Sequence, residues 1–481
     1  MKNGILNNGN AKISKVSFTS SFPFLAMIIA LLVGGALGIF GTYALIVVLG
    51  ILIMTCIITL RQDEVAIMAI IAAEICVDWY LGLHIVSQLI AVVLLSIFFL
   101  TRSPRYPWVE PRALWLWVVF LILPLPAVIQ GDHQYYDLAF YYPNLFFGAL
   151  VMFWLGMLVA RNKQHLRTLF QALAVLGSLL AIHTIIQTRT GIVIFGTSHF
   201  DAYLAQESNF TLANSGGASR AGSFFENPDW NGTFFAMMLF LPLGLFTEAA
   251  SFLPKLLYFV EMLLMSIALL FTYSIGAWLG ALAGVIAFIL FAGHGYSRIL
   301  VPILMVIVGG VLVINFPTEI NLLSQHASNP AELLLRSGAW QTAINVIRAF
   351  PITGVGLGFL NYAQRAEPYR VSSQYIPLAH PHNSYLELGA MAGLPVLSLF
   401  LVLLLFALWQ AWCNWRQLDK GTRCLLGGGF ATIIALSVNS ISINGWTLPP
   451  LAAIGWLILG AIASPLITRE KPNKGIEREA P

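Results

Sequence analysis

Charge is what this sequence has least of. Only 10% of its 481 residues are Asp, Glu, Lys or Arg, against 58% hydrophobic, with a mean hydropathy of +0.81. A soluble globular chain carries roughly 25% charge. A chain this poor in charge cannot cover its surface in water, so a soluble enzyme is excluded and a multi-span membrane protein is expected. Cysteine is also scarce. The four, Cys56, Cys76, Cys413 and Cys424, have neither metal-ligand nor disulfide-framework spacing and read as structural. There is no His-Glu-x-x-His, no Asp-x-Asp that would hold magnesium on a diphosphate, and no Gly-Lys-Ser/Thr of a phosphate loop. Internal repeats, coiled-coil heptads and nucleic-acid motifs are missing too. The expected cofactor list is therefore empty: no metal, no nucleotide and no nucleic-acid partner.

What is present is one apolar run after another. Runs of about 17–25 such residues suit membrane helices. They fall near 22–41, 43–60, 64–83, 84–100, 113–130, 144–160, 168–188, 231–247, 254–272, 274–293, 299–316, 386–412, 423–441 and 448–467. The expected architecture is all-α and polytopic, with about 12–14 transmembrane helices and a large helical extracytoplasmic loop. The polar residues 1–21 lead into an apolar run without a small-x-small cleavage site, which reads as a retained first span.

Alternating the spans from a cytoplasmic N-terminus sorts the 25 Lys and Arg unevenly. Six arginines, Arg189, Arg220, Arg336, Arg348, Arg365 and Arg370, fall outside, and every lysine falls inside, as the positive-inside rule requires. The resulting division is a cytoplasmic tail 1–21, N-terminal spans 22–188, a first extracytoplasmic loop 189–230 and central spans 231–316. A large extracytoplasmic loop 317–385, C-terminal spans 386–467 and a cytoplasmic tail 468–481 follow. Loops this long in a compact bundle are usually functional or disordered, and the apolar and aromatic residues in both argue against disorder.

In the large loop, Ser328-Asn329-Pro330-Ala331-Glu332 reads as a helix start, with Asn329 as cap and Pro330 in the first helical position. The helix should run to about Phe350, where Pro351 ends it. Leu333, Trp340, Ile344 and Ile347 share one face at helical spacing, with Arg336 on its edge. Such an interfacial helix can hold a lipid phosphate; equally, an Arg there can pair with a nearby acid or snorkel. The following Pro351-Ile352-Thr353-Gly354-Val355-Gly356-Leu357-Gly358 reads as a tight turn with close backbone approach.

His380-Pro381-His382-Asn383 precedes the next span. With Pro381 as first helical residue, His382 lies in the first turn, where the positive end of the helix dipole disfavours imidazolium and leaves the neutral ring a general base needs; by itself, a pair of loop histidines is more often structural. Glu387 is about one turn further on. A His-x-His pair alone is too little for zinc. In the first loop, Arg220 lies in a Gly- and Ser-rich stretch with no adjacent acid, at the mouth of the spans, where it would attract an anion; taken alone, the segment reads rather as carrying a solvated loop arginine. Asn227-Pro228 marks a turn before the next helix.

Taken together these two loops resemble the O-antigen ligase and polymerase-like superfamily of bacterial envelope proteins. The family's first loop carries an Arg-x-Gly-Thr/Ser-Phe-x-Asn-Pro-Asn pattern. Here it reads Arg220-Ala221-Gly222-Ser223-Phe224-Phe225-Glu226-Asn227-Pro228-Asp229, with one extra residue before Asn227 and Asp in place of the last Asn. Arg336, Trp340, Ala343, Pro351, Gly354 and Gly356 match the family's Arg-x3-Trp-x2-Ala and Pro-x2-Gly-x-Gly. His382, Asn383 and Gly393 match its His-Asn and Gly-x-x-Gly, with Val396 replacing the final Gly. The resemblance implies a plasma-membrane glycosyltransferase that uses no metal and inverts at the transferred carbon. Its donor would be a glycan on undecaprenyl diphosphate and its acceptor a hydroxyl of a glycan, lipid or protein. Carried over by position, His382 is the base that activates the acceptor, and Arg220 and Arg336 clamp the diphosphate. His380, Asn383, Trp340, Asn227 and Glu387 are expected to line the substrate site.

The competing expectation is a transporter of a small anion or glycan-related solute. It calls for ionisable groups at mid-membrane depth. Glu74 and Asp78 share a face in one span, and His183 and Glu261 lie in others.

Overall fold

The computed structural model describes residues 63–79, 86–100, 107–131, 141–190, 220–291, 297–378 and 380–468. The expected spans 22–41 and 43–60, the loop residues Asp132, His133 and Asp137, residues 191–219 and the C-terminal tail lie outside them. Among the described residues the regular structure is all helix, so the chain is an all-α polytopic membrane protein.

The helices are α1 (Asp63–Ala73), α2 (Val86–Leu100), α3 (Leu114–Ile122), α4 (Leu125–Gln130), α5 (Gly148–Val159), α6 (Lys163–Thr190), α7 (Pro228–Met238), α8 (Phe240–Glu248) and α9 (Phe252–Phe271). After them come α10 (Ile275–Phe291), α11 (Ser297–Asn315), α12 (Pro317–Ala327), α13 (Pro330–Ala349), α14 (Phe359–Ala366), α15 (Ser384–Ala392), α16 (Leu394–Gln417), α17 (Lys420–Asn439) and α18 (Pro449–Ala463). Each expected span within the described residues corresponds to helix. Five helical stretches are long and apolar enough to cross a membrane: α6, α7–α8 together, α9, α16 and α17. Val86–Ser96, Leu114–Gln130, Pro143–Val159, α10 and α18 are shorter apolar helices.

Several expected spans are interrupted, that at 231–247 by Leu239 between α7 and α8. Leu123-Pro124 separates α3 from α4, a π-helical turn over Glu74–Trp79 closes the span begun by α1, and Gly393 separates α15 from α16. The large loop begins with a bend of 101° from α11 into α12.

Helices apolar on every side belong in the middle of a bundle. Every residue of α18 is buried, and α5 lies along it. The contact is close: a Cβ on Gly156 would stand 2.1 Å from the Leu457 carbonyl oxygen, and one on Gly460 2.0 Å from that of Phe153. Small residues let membrane helices approach this far. Every residue of α7 is buried as well, although it carries Asp229, Asn231 and Thr233. Such polar residues must find partners inside, and those partners build the site below. The outer helices turn Phe252, Val306 and Ile314 outward, each more than 70% exposed, as lipid-facing side chains are.

Two sets of ion pairs mark the two ends of α6, a 28-residue helix and so about 40 Å long. At its start, Lys163 lies 3.1 Å from Glu248 and 3.8 Å from Asp419, and Arg167 lies 3.6 Å from Glu248. Arg161 pairs there with Asp63, and the His165 ring is hydrogen-bonded to Glu64. At its end, Arg189 lies 3.3 Å from Glu319 of α12. These contacts join the start of α6 to Glu248 and Asp419, and its end to α12.

Candidate functional site

The first loop arrives at the end of α6 and is fastened there. Ser223 donates its backbone N–H to Gln187 Oε1 at 2.8 Å, and its hydroxyl lies 2.7 Å from His183 Nδ1. The Ala221 carbonyl accepts from Asn231 Nδ2 at 2.9 Å. Asn227 caps α7 by accepting the Asp229 N–H at 2.8 Å, with Pro228 in the first turn. The extra residue relative to the family pattern is absorbed in a three-residue turn. Glu226 takes φ +62°, and the Asn227 N–H reaches back to the Phe225 carbonyl at 2.7 Å. Ser223 is left-handed too, at φ +50°. Two left-handed non-glycine residues within four positions are costly and are held by the surrounding bonds. Burial pushes the Glu226 carboxyl up to about 7.

Arg220 is not without an acid. Its Nη2 donates to Asp229 Oδ1 at 2.7 Å and its Nε to the Thr272 carbonyl at 2.8 Å. The acid lies nine residues on, in the position where the family pattern has Asn, and only folding brings it back. Arg336 approaches the same carboxylate from α13. Its Nη2 donates to Asp229 Oδ2 at 3.2 Å and its Nη1 to the Ser442 carbonyl at 3.0 Å. One carboxylate thus receives a guanidinium on each oxygen. The Arg220 side chain is 1% exposed and that of Arg336 20%, so Arg336 is the outer cation of the pair. Two guanidinium groups against one carboxylate leave one surplus positive charge among these three groups, a fixed field for an anion.

α13 begins as its sequence implies, with Asn329 accepting the Ala331 N–H at 3.1 Å and Pro330 in the first turn. Its buried stripe lies on another side from the Leu333, Trp340, Ile344 and Ile347 face. Leu335, Ala339, Thr342, Ala343 and Val346 are buried, while Leu333 is 60% exposed and Trp340, Ile344 and Ile347 are half-buried. Leu335 and Ala339 cluster with Leu378, and Thr342 accepts the Val371 N–H at 3.3 Å, while Ile347 packs over Gly389 where α13 meets α15. Trp340, one turn after Arg336, has no hydrogen-bond partner for its Nε1 among the described residues.

The histidine segment lies near Trp230, the residue after Asp229. His380 is fully buried, its ring 6.3 Å from Trp230, 5.1 Å from Phe359 and 4.3 Å from His382. Its Nδ1 accepts the His382 backbone N–H at 3.2 Å. His382 is half-buried. The helix does not start at Pro381. Asn383 is the cap, accepting from the N–H groups of Tyr385 and Leu386 at 3.0 Å each, and α15 starts at Ser384. An Asn cap satisfies two orphan amides, which Pro381 cannot do. His382 therefore precedes the cap, at φ +50°, and the first-turn dipole argument does not apply to it. Asn227 and Asn383 spend their side-chain oxygens on caps, and Glu387 is 1% exposed.

The short segment after α17 ties the pieces together, and sequence reasoning passed over it. Ser442 holds Arg336, Asn444 Oδ1 accepts from Trp230 Nε1 at 2.6 Å, and the Ser384 N–H bonds the carbonyls of Ser440 and Ile443 at 2.9 and 3.1 Å. Its signal was a run of small polar residues, Asn439-Ser440-Ile441-Ser442-Ile443-Asn444-Gly445, between two apolar spans. The Gly-rich turn is the second tie. Val355 and Gly356 donate to the carbonyls of Ala390 and Met391 at 2.9 and 3.0 Å, and Leu394 donates to that of Pro351 at 2.8 Å. Gly354, at φ +65°, leaves no room for a side chain: a Cβ would stand 2.3 Å from the Met391 carbonyl carbon.

Among the described residues no three His, Cys, Asp or Glu side chains come together as metal ligands. The chain is similar to a known family over part of its length: residues 261–401 match the family described as O-antigen ligase. That stretch contains Arg336, Trp340, His380, His382 and Asn383. No curated protein matches the chain. The match supports the superfamily resemblance and, in general terms, glycosyl transfer of the O-antigen ligase type in a bacterial membrane.

Proposed function

We propose that the chain transfers a glycan from an undecaprenyl diphosphate carrier to an acceptor hydroxyl, without a metal and with inversion at the anomeric carbon. The observation that carries this reading is the meeting of Arg220 and Arg336 on the two oxygens of Asp229. Guanidinium forks from two separated segments, aimed at one pair of oxygens, suit a diphosphate. Negative charge builds on the leaving oxygens as the sugar–phosphate bond breaks, and fixed cations placed there lower the barrier.

His382 is the base. It accepts the proton of the acceptor hydroxyl as that oxygen bonds to the anomeric carbon. The electron pair of the broken carbon–oxygen bond goes to the diphosphate. His380 is a positioning residue: accepting at Nδ1 puts the proton of its neutral ring on Nε2 and fixes the backbone that carries His382. Trp340 offers its indole N–H beside Arg336. The reaction end of the bundle is extracytoplasmic and both termini are cytoplasmic.

A transporter would need ionisable groups ready for a solute at mid-depth. Glu74 and Asp78 are both bonded to the Ser87 hydroxyl, and His183 is bonded to Ser223.

The test is transfer from a polyprenyl diphosphate-linked glycan by the purified chain in liposomes, with and without chelator. Transfer that persists in chelator and disappears in an Arg220→Gln/Arg336→Gln chain is expected. Loss that magnesium or manganese restores would overturn the metal-free clamp.

A further inference from the structure

One charged group at the centre of this arrangement has no part in the chemistry so far: Asp229 itself. It is 7% exposed, and its main chain is fixed, with its N–H on Asn227 Oδ1 at 2.8 Å and its carbonyl accepting from Thr233 Oγ1 at 2.7 Å. The carboxylate occupies the forks that a diphosphate would use. We propose that Asp229 is a built-in anion that competes with the diphosphate for Arg336, and that this competition expels the spent lipid diphosphate after transfer. The proposal rests on the diphosphate-clamp reading and adds a release step to it.

The charges give the direction. Two guanidinium groups and one carboxylate sum to +1. A donor diphosphate, esterified at both ends, carries two negative charges. Once the glycan has left, the freed terminal phosphate takes on up to one more near neutral pH. With Asp229 ionised, the occupied site moves from −1 toward −2; with a neutral residue it would move from 0 toward −1. Asp229 therefore weakens the hold on both forms, and its repulsion grows with the charge of the product. The two ion pairs are unequal in a way that suits exchange. The Arg220 pair is the shorter, 2.7 Å against 3.2 Å, and the more deeply buried. An incoming anion meets Arg336 first and takes that fork while Asp229 stays on Arg220. An Asn at this position, as in the family pattern, could instead donate an N–H to the phosphate and would hold the product.

The experiment measures binding of inorganic pyrophosphate to the full chain in lipid nanodiscs, by calorimetry, alongside transfer kinetics. Asp229→Asn is expected to bind pyrophosphate about tenfold tighter or more, the scale of one charge-assisted hydrogen bond. Its kcat and its KM for the lipid donor should both fall, because product leaves slowly. Asp229→Ser removes the same charge and gives the same reading if the Asn chain does not fold. Equal or weaker pyrophosphate binding in these variants would overturn the proposal, because a carboxylate that merely aligns the arginines loses affinity when removed. The Arg220→Gln/Arg336→Gln chain separates the two ideas. If it has lost pyrophosphate binding while Asp229→Asn matches the wild-type chain, only the release step falls. If it binds as the wild-type chain does, the clamp falls as well.

Discussion

The backbone N–H of His382 points at Nδ1 of His380, 3.2 Å away, and the two rings stand 4.3 Å apart. One ring is fully buried between Trp230 and Phe359; the other is half-buried at a left-handed backbone position. The pair divides into a buried support and an outer group that can meet a substrate. His382→Ala is therefore expected to lower transfer by about 10²–10⁴-fold, the usual contribution of a general base, with the melting temperature of the purified chain little changed. His380→Phe keeps the ring packing but loses the acceptor. It should reduce kcat less than His382→Ala does and leave the donor KM unchanged.

Arg336→Lys keeps the charge and loses the fork. Arg336 reaches the Ser442 carbonyl with one terminal nitrogen and Asp229 with the other, and a single ammonium cannot span both. Transfer in liposomes should fall by roughly 10–100-fold, as loss of a hydrogen bond to a charged group implies. Full activity in the Lys chain would reduce the clamp to a point charge.

Glu226 gives the first loop a pH dependence. Burial pushes its carboxyl up to about 7, so the folded chain holds this proton where the unfolded chain has released it. Its contribution to stability is complete below about pH 4.5 and is lost as pH rises to about 7. The melting temperature should fall over that window, and Glu226→Gln should flatten that part of the curve. An identical slope in the Gln chain would show that other groups carry it.

Gly354→Ala tests the Gly-rich turn. The left-handed φ costs an alanine about 1–2 kcal/mol, and its Cβ would press on the Met391 main chain. Lower thermal stability with a parallel loss of transfer is expected, since α15 carries the histidine segment.

Much of this was legible in the sequence. Apolar runs located the helices, and Asn329-Pro330 marked the start of α13, because span length and capping are local physics. What escaped was set by contact between distant segments. Nothing near Arg220 marks Asp229 as its partner, and nothing near Arg336 points 107 residues back to the same carboxylate. The side of α13 opposite its apolar face is buried by residues 371–378, a contact that the helix's own pattern does not announce. The start of α15 shifted to Ser384 because an Asn cap satisfies more amides than a proline in the first turn.

The Gly-rich turn and the break at Gly393 are bonded to each other through Leu394 and Pro351, and through Val355 and Gly356. Neither stretch can be exchanged alone. In a chimera that borrows His380 and His382 from a relative, residues 351–358 and 380–394 travel as one cassette. Swapping either half by itself joins two edges that were shaped for different neighbours.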